Sequence, residues 1–366
     1  MIKVSQGCLG EEELHAVKEA FEYGYFGHAY KVEQFERELQ AYLGNGHVVA
    51  VNTGTSALHL ALDALGIGEG DEVIVPSLTF VASFQAISMV GATPVACEVS
   101  PDTLLMDMQD VLTLITDRTK AIMPVHYAGN PCDMEQLLRL KESRGIRIIE
   151  DAAHAIGSLY KGKKVGSFGD ISCFSFDSIK NITCGEGGAI VCREKALADK
   201  MRIKRTLGIE RHPGTERWLY EVSEQGYRYH MSNINAAIGL EQLKKLDTFI
   251  NRRREICIRY QKAFENIAGI KMLAVNYQEV APHVFVIRVL NGRRNDLIEH
   301  LRNCDIETGL NYIPNHLHPR YKQKDKAFPV TEQLYQEIIT LPLHCRLSDQ
   351  DVDFVIESVT EFFAKG

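Results

Sequence analysis

The sequence predicts an α/β protein with a mostly parallel central sheet flanked by helices and a smaller α+β domain at its C-terminal end. Short runs rich in β-branched residues alternate with helix-length segments from about residue 47 to 192, and this alternation becomes irregular after about residue 193. Apolar strands separated by helices are typical of a parallel or mixed sheet covered on both faces. A length of 366 residues fits two domains, and we expect them at 1–246 and 247–366.

The elements of the first domain can be assigned in chain order. The strand candidates are HVVAVN, DEVIVPS, TPVACEV, KAIMPVH, IRIIED, ISCFSF and GAIVCR, and the helix candidates between them are 56–65, 79–90, 108–115 and 133–144. Next come two predicted helices at 194–205 and 231–246, separated by a polar loop at 208–229. Residues 247–267 predict a long helix that bridges the domains, and residues 270–366 predict the small α+β domain.

Composition and charge restrict the class of protein. A hydrophobic content of 45% with 24% charged residues is typical of a soluble globular protein. A formal charge of -7 disfavours nucleic-acid binding, which normally requires a basic domain or stripe. Nine dispersed cysteines without a C-x-x-C pair indicate reduced thiols. Because no apolar signal segment or membrane-length stretch is present, we expect a cytoplasmic protein without a nucleic-acid or membrane partner.

The first motif with chemical meaning is N-T-G-T-S at residues 52–56, between the strand VVAV and the helix ALHLALDAL. Free backbone N–H groups and the helix dipole at such a junction bind anions, and small hydroxyl residues add donors. An ordinary helix N-cap explains the same residues equally well. Taken alone, this motif leaves both interpretations open.

The second motif is the strand IRIIED, which ends in Asp151. A carboxylate at this edge of an open α/β sheet can hold a cationic ring nitrogen. The alternative is the Walker B strand of a nucleoside triphosphatase, with G-S-L-Y-K-G-K at 157–163 as a Walker A match. That segment continues into Lys164 where Ser or Thr is required, follows the Asp151 strand and opens no helix, so its context excludes the triphosphatase.

The third motif places Lys180 just after the strand ISCFSF and before the glycine-rich residues 185–188. A lysine in a partly desolvated pocket has a lowered pKa, and its neutral amine can attack an aldehyde. A solvated loop lysine is the simpler interpretation of this motif alone. The pairing of a lysine with an aspartate, which is typical of pyridoxal 5′-phosphate (PLP) enzymes, favours a Schiff base between PLP and Lys180 instead.

Seven sequence blocks, in order, resemble the DegT/StrS family of sugar aminotransferases. They are NTGTSALHLAL, GDEVIVPSLTFVAS, VHYAGNPCDM, IIEDAAHAIGS, GSFGDISCFSF, NITCGEGGAIV after the lysine, and MSNINAAIGLEQL. The resemblance covers nearly the whole chain and is weakest at 206–228 and 270–310. It implies the aspartate-aminotransferase (type I) PLP fold and the transfer of an amino group through PLP.

The resemblance also implies roles for individual residues. Lys180 would carry the cofactor and move the proton, and Asp151 would keep the ring nitrogen protonated. The other implied cofactor contacts are His154 at the phenolic oxygen, Phe80 on the ring face, Gly54, Thr55, Ser56 and Ser175 at the phosphate, and Asn233 at the phosphate of a second subunit. The last contact implies a homodimer with shared active sites, although Asn233 could instead be an N-cap for the helix INAAIGLEQLKKL.

The regions expected near the substrate differ most from the family pattern. The opening VSQGCLGEEE lacks the prolines that are frequent there, and Arg228 and His230 stand where many members have asparagine and arginine. The stretch NYIPNHLHP at 311–319 resembles a substrate-facing loop, which implies Tyr312 and His316 as substrate contacts. Its His-x-His pair lacks a carboxylate or cysteine at ligand spacing, which disfavours a metal site.

The resulting prediction is an aminotransferase that moves an amino group from L-glutamate through PLP to a keto group of a nucleotide-linked deoxysugar. The donor and the substrate follow from the resemblance alone. One alternative is another carbonyl substrate, such as an unactivated keto sugar, a cyclitol ketone or an amino-acid-derived ketone. An amino-acid specialist would need an arginine fork, for which the candidates are Arg228, Arg288 and Arg320.

Two other functions on the same fold are less well supported by the sequence. Dehydratases of the family carry histidine at the position of Lys180, so the lysine argues against dehydration. A PLP-binding regulatory protein without turnover is the alternative outside catalysis. It would normally bring a DNA-binding module, and the acidic sequence contains no recognisable one.

Overall fold

The centre of the fold is a seven-stranded sheet, seen in a computed structural model that describes residues 1–211, 216, 218–322 and 326–364. The strands lie side by side in the order His47–Val51, Gly188–Cys192, Ile171–Ser175, Arg147–Asp151, Thr119–Ile122, Glu72–Pro76 and Thr93–Cys97. Neighbours pair in parallel except around Gly188–Cys192, which is antiparallel to both strands beside it. The predicted mostly parallel sheet is therefore confirmed.

Both faces of this sheet are covered by apolar side chains. Along His47–Val51, the side chains of Val49 and Val51 belong to one core cluster, and those of Val48 and Ala50 belong to the cluster on the other face. This alternation follows from the two-residue period of a strand. Since both faces are buried, the strands are apolar along most of their length, as expected for a parallel sheet between helix layers.

The helices of this large lobe follow the sequence closely. They are Glu11–Tyr23, Tyr30–Leu43, Gly54–Ala64, Val81–Met89, Met108–Leu114, Met134–Arg144 and Lys195–Lys204. The five predicted helices between residues 56 and 205 begin and end within two residues of these bounds. Two short hairpins join Leu159–Tyr160 to Lys163–Lys164 and Ile209–Glu210 to Glu221–Val222. Residues 212–215 and 217 of the predicted loop 208–229 lie outside the described residues.

The segment expected to form two helices is a single helix, Asn233–Phe264. Its apolar side continues across the expected domain boundary, because Leu246 and Phe249 pack in the core of the large lobe while Ile256 packs in the next core along the helix. The polar Asp247 lies on the exposed side and does not interrupt the helix. The expected division at 246/247 therefore falls inside a continuous element.

The C-terminal part forms a small lobe around an antiparallel sheet of three strands, Ile270–Met272, Phe285–Val289 and Ile338–Leu341. Its helices are Arg294–Asn303, Pro329–Glu337 and Asp349–Ala364, with short 3-10 turns at Asn315–Leu317 and Pro319–Tyr321; a further 3-10 turn, Tyr127–Gly129, lies in the large lobe. None of the helices in the described ranges combines the length and the apolar character that a membrane crossing needs.

Candidate active site

A cleft of about 360 Å³ opens where parallel strands of the large sheet end. Asn311 and Tyr312 of the small lobe close one side of it. Open α/β sheets bind ligands at this edge. The cleft brings together most of the residues that the sequence singled out, namely Gly54, Thr55, Phe80, Asp151, His154, Ser175, Lys180 and Tyr312.

Asp151 ends its strand as a carboxylate that is only 5% exposed. Its Oδ2 accepts a hydrogen bond of 2.7 Å from the hydroxyl of Ser83, and its Oδ1 accepts one of 3.2 Å from the backbone N–H of Ala153. Burial raises the pKa of Asp151, and these two hydrogen bonds act against the rise. Because both donors are neutral, the carboxylate can still pair with a cationic group in the cleft.

Lys180 lies in the bend that follows the strand Ile171–Ser175, where its backbone N–H donates to the carbonyl of Asp177 over 3.1 Å. Burial lowers the pKa of Lys180 to about 8, although the charges of Asp151 and Asp177 act in the opposite direction. With such a pKa, roughly a tenth of the amine is uncharged at pH 7, far more than for an ordinary lysine. The neutral amine is the form that attacks a carbonyl carbon.

Close packing shapes the loop before the helix Gly54–Ala64. The Oγ1 of Thr53 caps this helix by accepting the backbone N–H of Ser56 over 3.0 Å. A Cβ on Gly54 would lie 2.8 Å from that of Ser175, and one on Gly188 would lie 2.4 Å from the carbonyl oxygen of Thr53. The two glycines therefore let the helix start approach Ser175, which forms a place where a phosphate can bind.

His154 and Tyr312 meet at the wall of the cleft. The Nε2 of His154 lies 2.9 Å from the hydroxyl oxygen of Tyr312. The Nδ1 of His154 is buried and has no hydrogen-bond partner among the described residues. Burial and the nearby charge of Lys180 lower the pKa of His154 well below its usual value, so its ring is neutral. The ring of Phe80, 55% exposed, lies 5.5 Å from that of Tyr312 and offers an aromatic face.

Ser56 and Asn233 lie outside the cleft of this chain. The hydroxyl of Ser56 is buried 2.8 Å from that of Thr53. Asn233 is fully buried at the start of the long helix, where its Oδ1 accepts the backbone N–H of Lys31 over 3.1 Å. The N-cap of that helix is Ser232, so the N-cap alternative for Asn233 is not observed. The contact of Asn233 with the cofactor phosphate of a second subunit stays a prediction.

His316 also lies outside this cleft, and its contact with the substrate stays a prediction. Its Nδ1 lies 2.6 Å from the hydroxyl of Ser77, and its Nε2 lies 3.3 Å from Glu332. Its ring stacks on Phe328 at 4.1 Å and is 6% exposed. The described ranges contain no group of three or more His, Cys, Asp or Glu side chains that could hold a metal ion.

The three candidate arginines for a carboxylate fork do not line the cleft either. Arg288 forms a 2.7 Å ion pair with Glu337 and donates to the carbonyl of Pro101 over 2.8 Å. Arg228 lines a separate cavity, and Arg320 lies in the 3-10 turn beyond His316. Among the residues that the structure describes, none supplies this cleft with the arginine fork that an amino-acid specialist requires.

Several residues of the site were not given a role from the sequence. Among them are Ser83, which binds Asp151, Asp177 and Glu186, which line the cleft, and His283, whose ring lies 4.3 Å from that of His154. Ser83 lies four residues after Thr79 in the predicted helix 79–90, a spacing that would place both on one side of a helix. His283 is distant in sequence from His154, and no local pattern connects them.

These features fit PLP on four observations. The buried carboxylate of Asp151 has neutral partners and can take a cationic ring nitrogen. The unpaired Nδ1 of His154 can meet a polar atom of a ring. The absence of a side chain at Gly54 lets the helix start lie against Ser175, and the N–H groups of a helix start bind phosphate. Lys180, with its low pKa, can supply the amine that PLP enzymes use.

Comparison with known proteins decides the family. The profile of the DegT/DnrJ/EryC1/StrS aminotransferase family matches residues 7–360. The chain belongs to this family. It is 40% identical over 368 residues to the spore coat polysaccharide biosynthesis protein SpsC of Bacillus subtilis (strain 168), which covers 96% of this chain and 95% of that protein.

Solved structures give the same result for the fold. The aminotransferase TlmJ from Streptoalloteichus hindustanus superposes with a TM-score of 0.95 at 35% identity, covering 100% of this chain and 99% of that one. The Helicobacter pylori aminotransferase PseC superposes with a TM-score of 0.94 at 29% identity and covers 100% of both chains. The predicted fold, the aminotransferase activity and PLP as its cofactor are thereby confirmed.

Proposed function

We propose that this aminotransferase takes an amino group from L-glutamate and passes it to a keto group of a nucleotide-linked deoxysugar. The observation that carries the proposal is the meeting of the Lys180 amine and the buried Asp151 carboxylate in one cleft of a chain from this family. SpsC is named for spore coat polysaccharide biosynthesis, and PseC is described as taking part in the biosynthesis of pseudoaminic acid. Both names support a sugar as the acceptor.

The residues of the cleft would have different roles in the reaction. When bound, PLP stores the amino group between the two half-reactions and withdraws electrons from the carbon that loses or gains a proton. Lys180 would take that proton and return it, since its lowered pKa suits both directions near neutral pH. Asp151 would hold the charged ring nitrogen, and burial strengthens this contact. His154 and Phe80 would orient the ring, with the phosphate held by Gly54, Thr55 and Ser175.

The charge of the cleft supports a sugar rather than a keto acid. Among the described residues that line it, Lys180 is the one lysine or arginine, whereas Asp151, Asp177 and Glu186 are acids. Carboxylates accept hydrogen bonds from hydroxyl groups and repel anions. A neutral ketone rich in hydroxyl groups therefore suits this cleft as the acceptor, and the carboxylates of the L-glutamate donor would need positive charge from outside it.

A second cavity, of about 470 Å³, supports a phosphate-bearing substrate. It is lined by arginine and histidine side chains, namely His28, Arg202, Arg205, Arg211, Arg228 and His230. Its wall is tied to the cofactor loop, because the backbone N–H of Asn52 donates to the carbonyl of Tyr229 over 2.7 Å. Arginine side chains attract anions, so this region suits the nucleotide phosphates or the carboxylates of glutamate, although Arg202 and Arg205 also pair with Asp199 and Glu36.

We also propose that the enzyme is a cytoplasmic homodimer with active sites near the interface. An aromatic patch, defined as Phe21, Tyr23, Tyr25, Phe26 and Tyr30, is 40–58% exposed. Large exposed apolar surfaces mark contacts between proteins. Asn233 fixes this segment, because its backbone N–H binds the carbonyl of Phe26 over 2.9 Å while its Oδ1 binds Lys31. The nine free cysteines fit the reducing cytoplasm.

The amino-donor half can be tested on the resting enzyme. PLP-loaded protein should show a visible absorbance band that disappears when L-glutamate is added. Lys180→Ala should bind PLP weakly and lose at least about a thousandfold of its turnover, because the proton carrier is gone. Lys195→Ala, which removes an exposed lysine far from the cleft, is the matched control and should react as the wild type does. Bleaching by glutamate in Lys180→Ala at the wild-type rate would contradict the assignment.

The acceptor half can be tested in reverse with a panel of amines. Nucleotide-linked amino sugars should bleach the band of the loaded enzyme, and the corresponding free amino sugars should do so far more slowly. Equal rates for both would favour the alternative of an unactivated keto sugar or a cyclitol ketone.

A further inference from the structure

The side chain of His154 is surrounded by a small set of titratable groups. Tyr312 lies within hydrogen-bonding distance, and the ring centroids of His283 and Tyr127 lie 4.3 Å and 6.3 Å from that of His154. The charge of Lys180 also acts on it. Of these groups, Tyr312 is the one that forms a hydrogen bond with the ring. The hydroxyl of Tyr312 is therefore the neighbouring group that can determine which ring nitrogen of His154 carries the proton.

We infer that Tyr312 is a positioning residue whose hydroxyl keeps the proton of His154 on Nδ1, so that this N–H can donate to the phenolic oxygen of bound PLP. This role differs from the substrate contact that the sequence implied for Tyr312. It rests on the position of His154 beside that oxygen, which belongs to the proposed function. It also makes the small lobe, through Tyr312, a determinant of the cofactor's charge.

The protonation of both partners allows the hydroxyl of Tyr312 to donate to Nε2 of His154, which is the direction proposed here. Burial raises the pKa of Tyr312 far above neutral, so its hydroxyl keeps its proton and can donate. His154 is neutral and carries one N–H. A ring that accepts a hydrogen bond at Nε2 must therefore carry its proton on Nδ1.

The Nδ1 of His154 then needs an acceptor. It is buried and has no partner among the described residues, and a buried N–H without an acceptor is costly. The ring cannot easily turn to find one, because His283 covers it at 4.3 Å with an angle of 46° between the rings. Burial and the charges of Lys180 and Arg253 lower the pKa of His283 well below its usual value, so it adds no competing charge. An anionic oxygen on the cofactor would satisfy this donor.

A donor at the phenolic oxygen has a measurable effect. The phenolic oxygen of PLP lies beside the nitrogen that joins Lys180 to the cofactor. A proton on that nitrogen partly neutralises the negative charge of the oxygen, and loss of the proton leaves this charge uncompensated. A hydrogen bond to the oxygen therefore stabilises the deprotonated form more than the protonated form. The absorbance change of the bound cofactor then occurs at a lower pH with the donor than without it.

The test is a pH titration of the visible absorbance of the loaded enzyme without substrate. Tyr312→Phe should raise the midpoint by roughly half a unit to one unit, the effect of one hydrogen bond. In a His154→Gln background, where the side-chain amide donates without help, Tyr312→Phe should cause no further shift. Tyr260→Phe is the matched control, because it removes another buried small-lobe hydroxyl, bonded to the Pro342 carbonyl at 3.1 Å. It should leave the midpoint unchanged.

A second measurement reports the tautomer directly. Protein saturated with PLP and labelled with ¹⁵N-histidine should show His154 protonated on Nδ1 in the wild type and a smaller share of that tautomer in Tyr312→Phe. An unchanged midpoint together with an unchanged tautomer in Tyr312→Phe would overturn the inference. An equal shift in the His154→Gln background would also overturn it, because Tyr312 would then act directly. Bleaching of the loaded enzyme by L-glutamate is a separate measurement that tests the proposed function, and it does not depend on the outcome of these two.

Discussion

The charge of Asp151 is maintained by a residue that does not touch the cleft surface. Ser83 is fully buried, and its hydroxyl donates to Oδ2 over 2.7 Å. Its removal would leave a buried carboxylate with one donor fewer, a loss of about 1.5–3 kcal/mol for a charged acceptor. We expect Ser83→Ala to raise the pKa of Asp151 further and to weaken PLP binding roughly tenfold.

The measurement is a titration of the Ser83→Ala apoprotein with PLP, followed by absorbance. Ser88→Ala is the matched control, because Ser88 is on the same helix and its hydroxyl makes only a 3.5 Å contact with that of Tyr321. It should bind PLP as the wild type does. Wild-type affinity in Ser83→Ala would show that Ser83 has no part in holding the charge of Asp151.

For individual residues, the sequence identifies functional groups at or after the ends of strands. It does not identify groups from distant parts of the chain that come together only after folding. Lys180 and Asp151 each come after an apolar strand, and the ends of parallel strands share one edge of the sheet. His283 reaches His154 from the other lobe, which no local pattern records. The contacts of the His316 ring with Phe328 and Ser77 also form only after folding, and no local pattern predicts them.

At the scale of elements, Glu98 links the large sheet to a helix of the small lobe. Its carboxylate follows the strand Thr93–Cys97 and accepts the backbone N–H groups of Val330 and Thr331 over 3.1 and 2.8 Å. It also accepts the hydroxyl of Thr331. These N–H groups belong to the first turn of the helix Pro329–Glu337 and would otherwise lack partners. A negative charge is also favoured at this end of a helix.

We therefore expect Glu98→Gln to destabilise the protein by about 1–3 kcal/mol, because a neutral amide replaces a buried charged acceptor. Urea unfolding followed by circular dichroism measures this change. Glu135→Gln removes an acid from the first turn of the exposed helix Met134–Arg144 and should change stability little. Equal stability of the two variants would show that the Glu98 contact does not hold the lobes together.

The elements themselves were largely predictable because their periodicity is local. The strand order was not, since the placement of Gly188–Cys192 between His47–Val51 and Ile171–Ser175 depends on pairing across distant parts of the chain. The single helix Asn233–Phe264 was predicted as two segments because its partner changes along its length. Its apolar side first faces the large lobe and then the small one. Periodicity alone does not reveal such a change.

At the scale of the whole molecule, several connections join the two lobes. The backbone N–H of Ile2 donates to the carbonyl of Asp305 over 2.8 Å, and the N–H of Leu343 donates to the carbonyl of Val4 over 3.0 Å. The start of the chain therefore packs on the small lobe. The long helix Asn233–Phe264 crosses between the lobes. We propose that 1–246 and 247–366 are two domains that share elements, rather than units that fold separately.

The aromatic patch gives the last prediction, which concerns assembly. Phe21 is 55% exposed on the helix Glu11–Tyr23, and its ring lies 5.7 Å from that of Phe26. A charge placed there would have to be buried in a dimer interface but would remain hydrated in a monomer. We expect the wild type to have about twice the chain mass of 41.1 kDa in light scattering, and Phe21→Glu to shift toward that of one chain.

The matched control for this experiment is Phe354→Glu, which adds the same charge at a 44% exposed phenylalanine on the helix Asp349–Ala364. It should leave the wild-type mass unchanged, because it lies outside the aromatic patch. If active sites are shared, Phe21→Glu should keep its circular dichroism spectrum and lose activity in proportion to the loss of dimer. A wild type that is active as a single chain at micromolar concentration would contradict both the dimer and the shared sites.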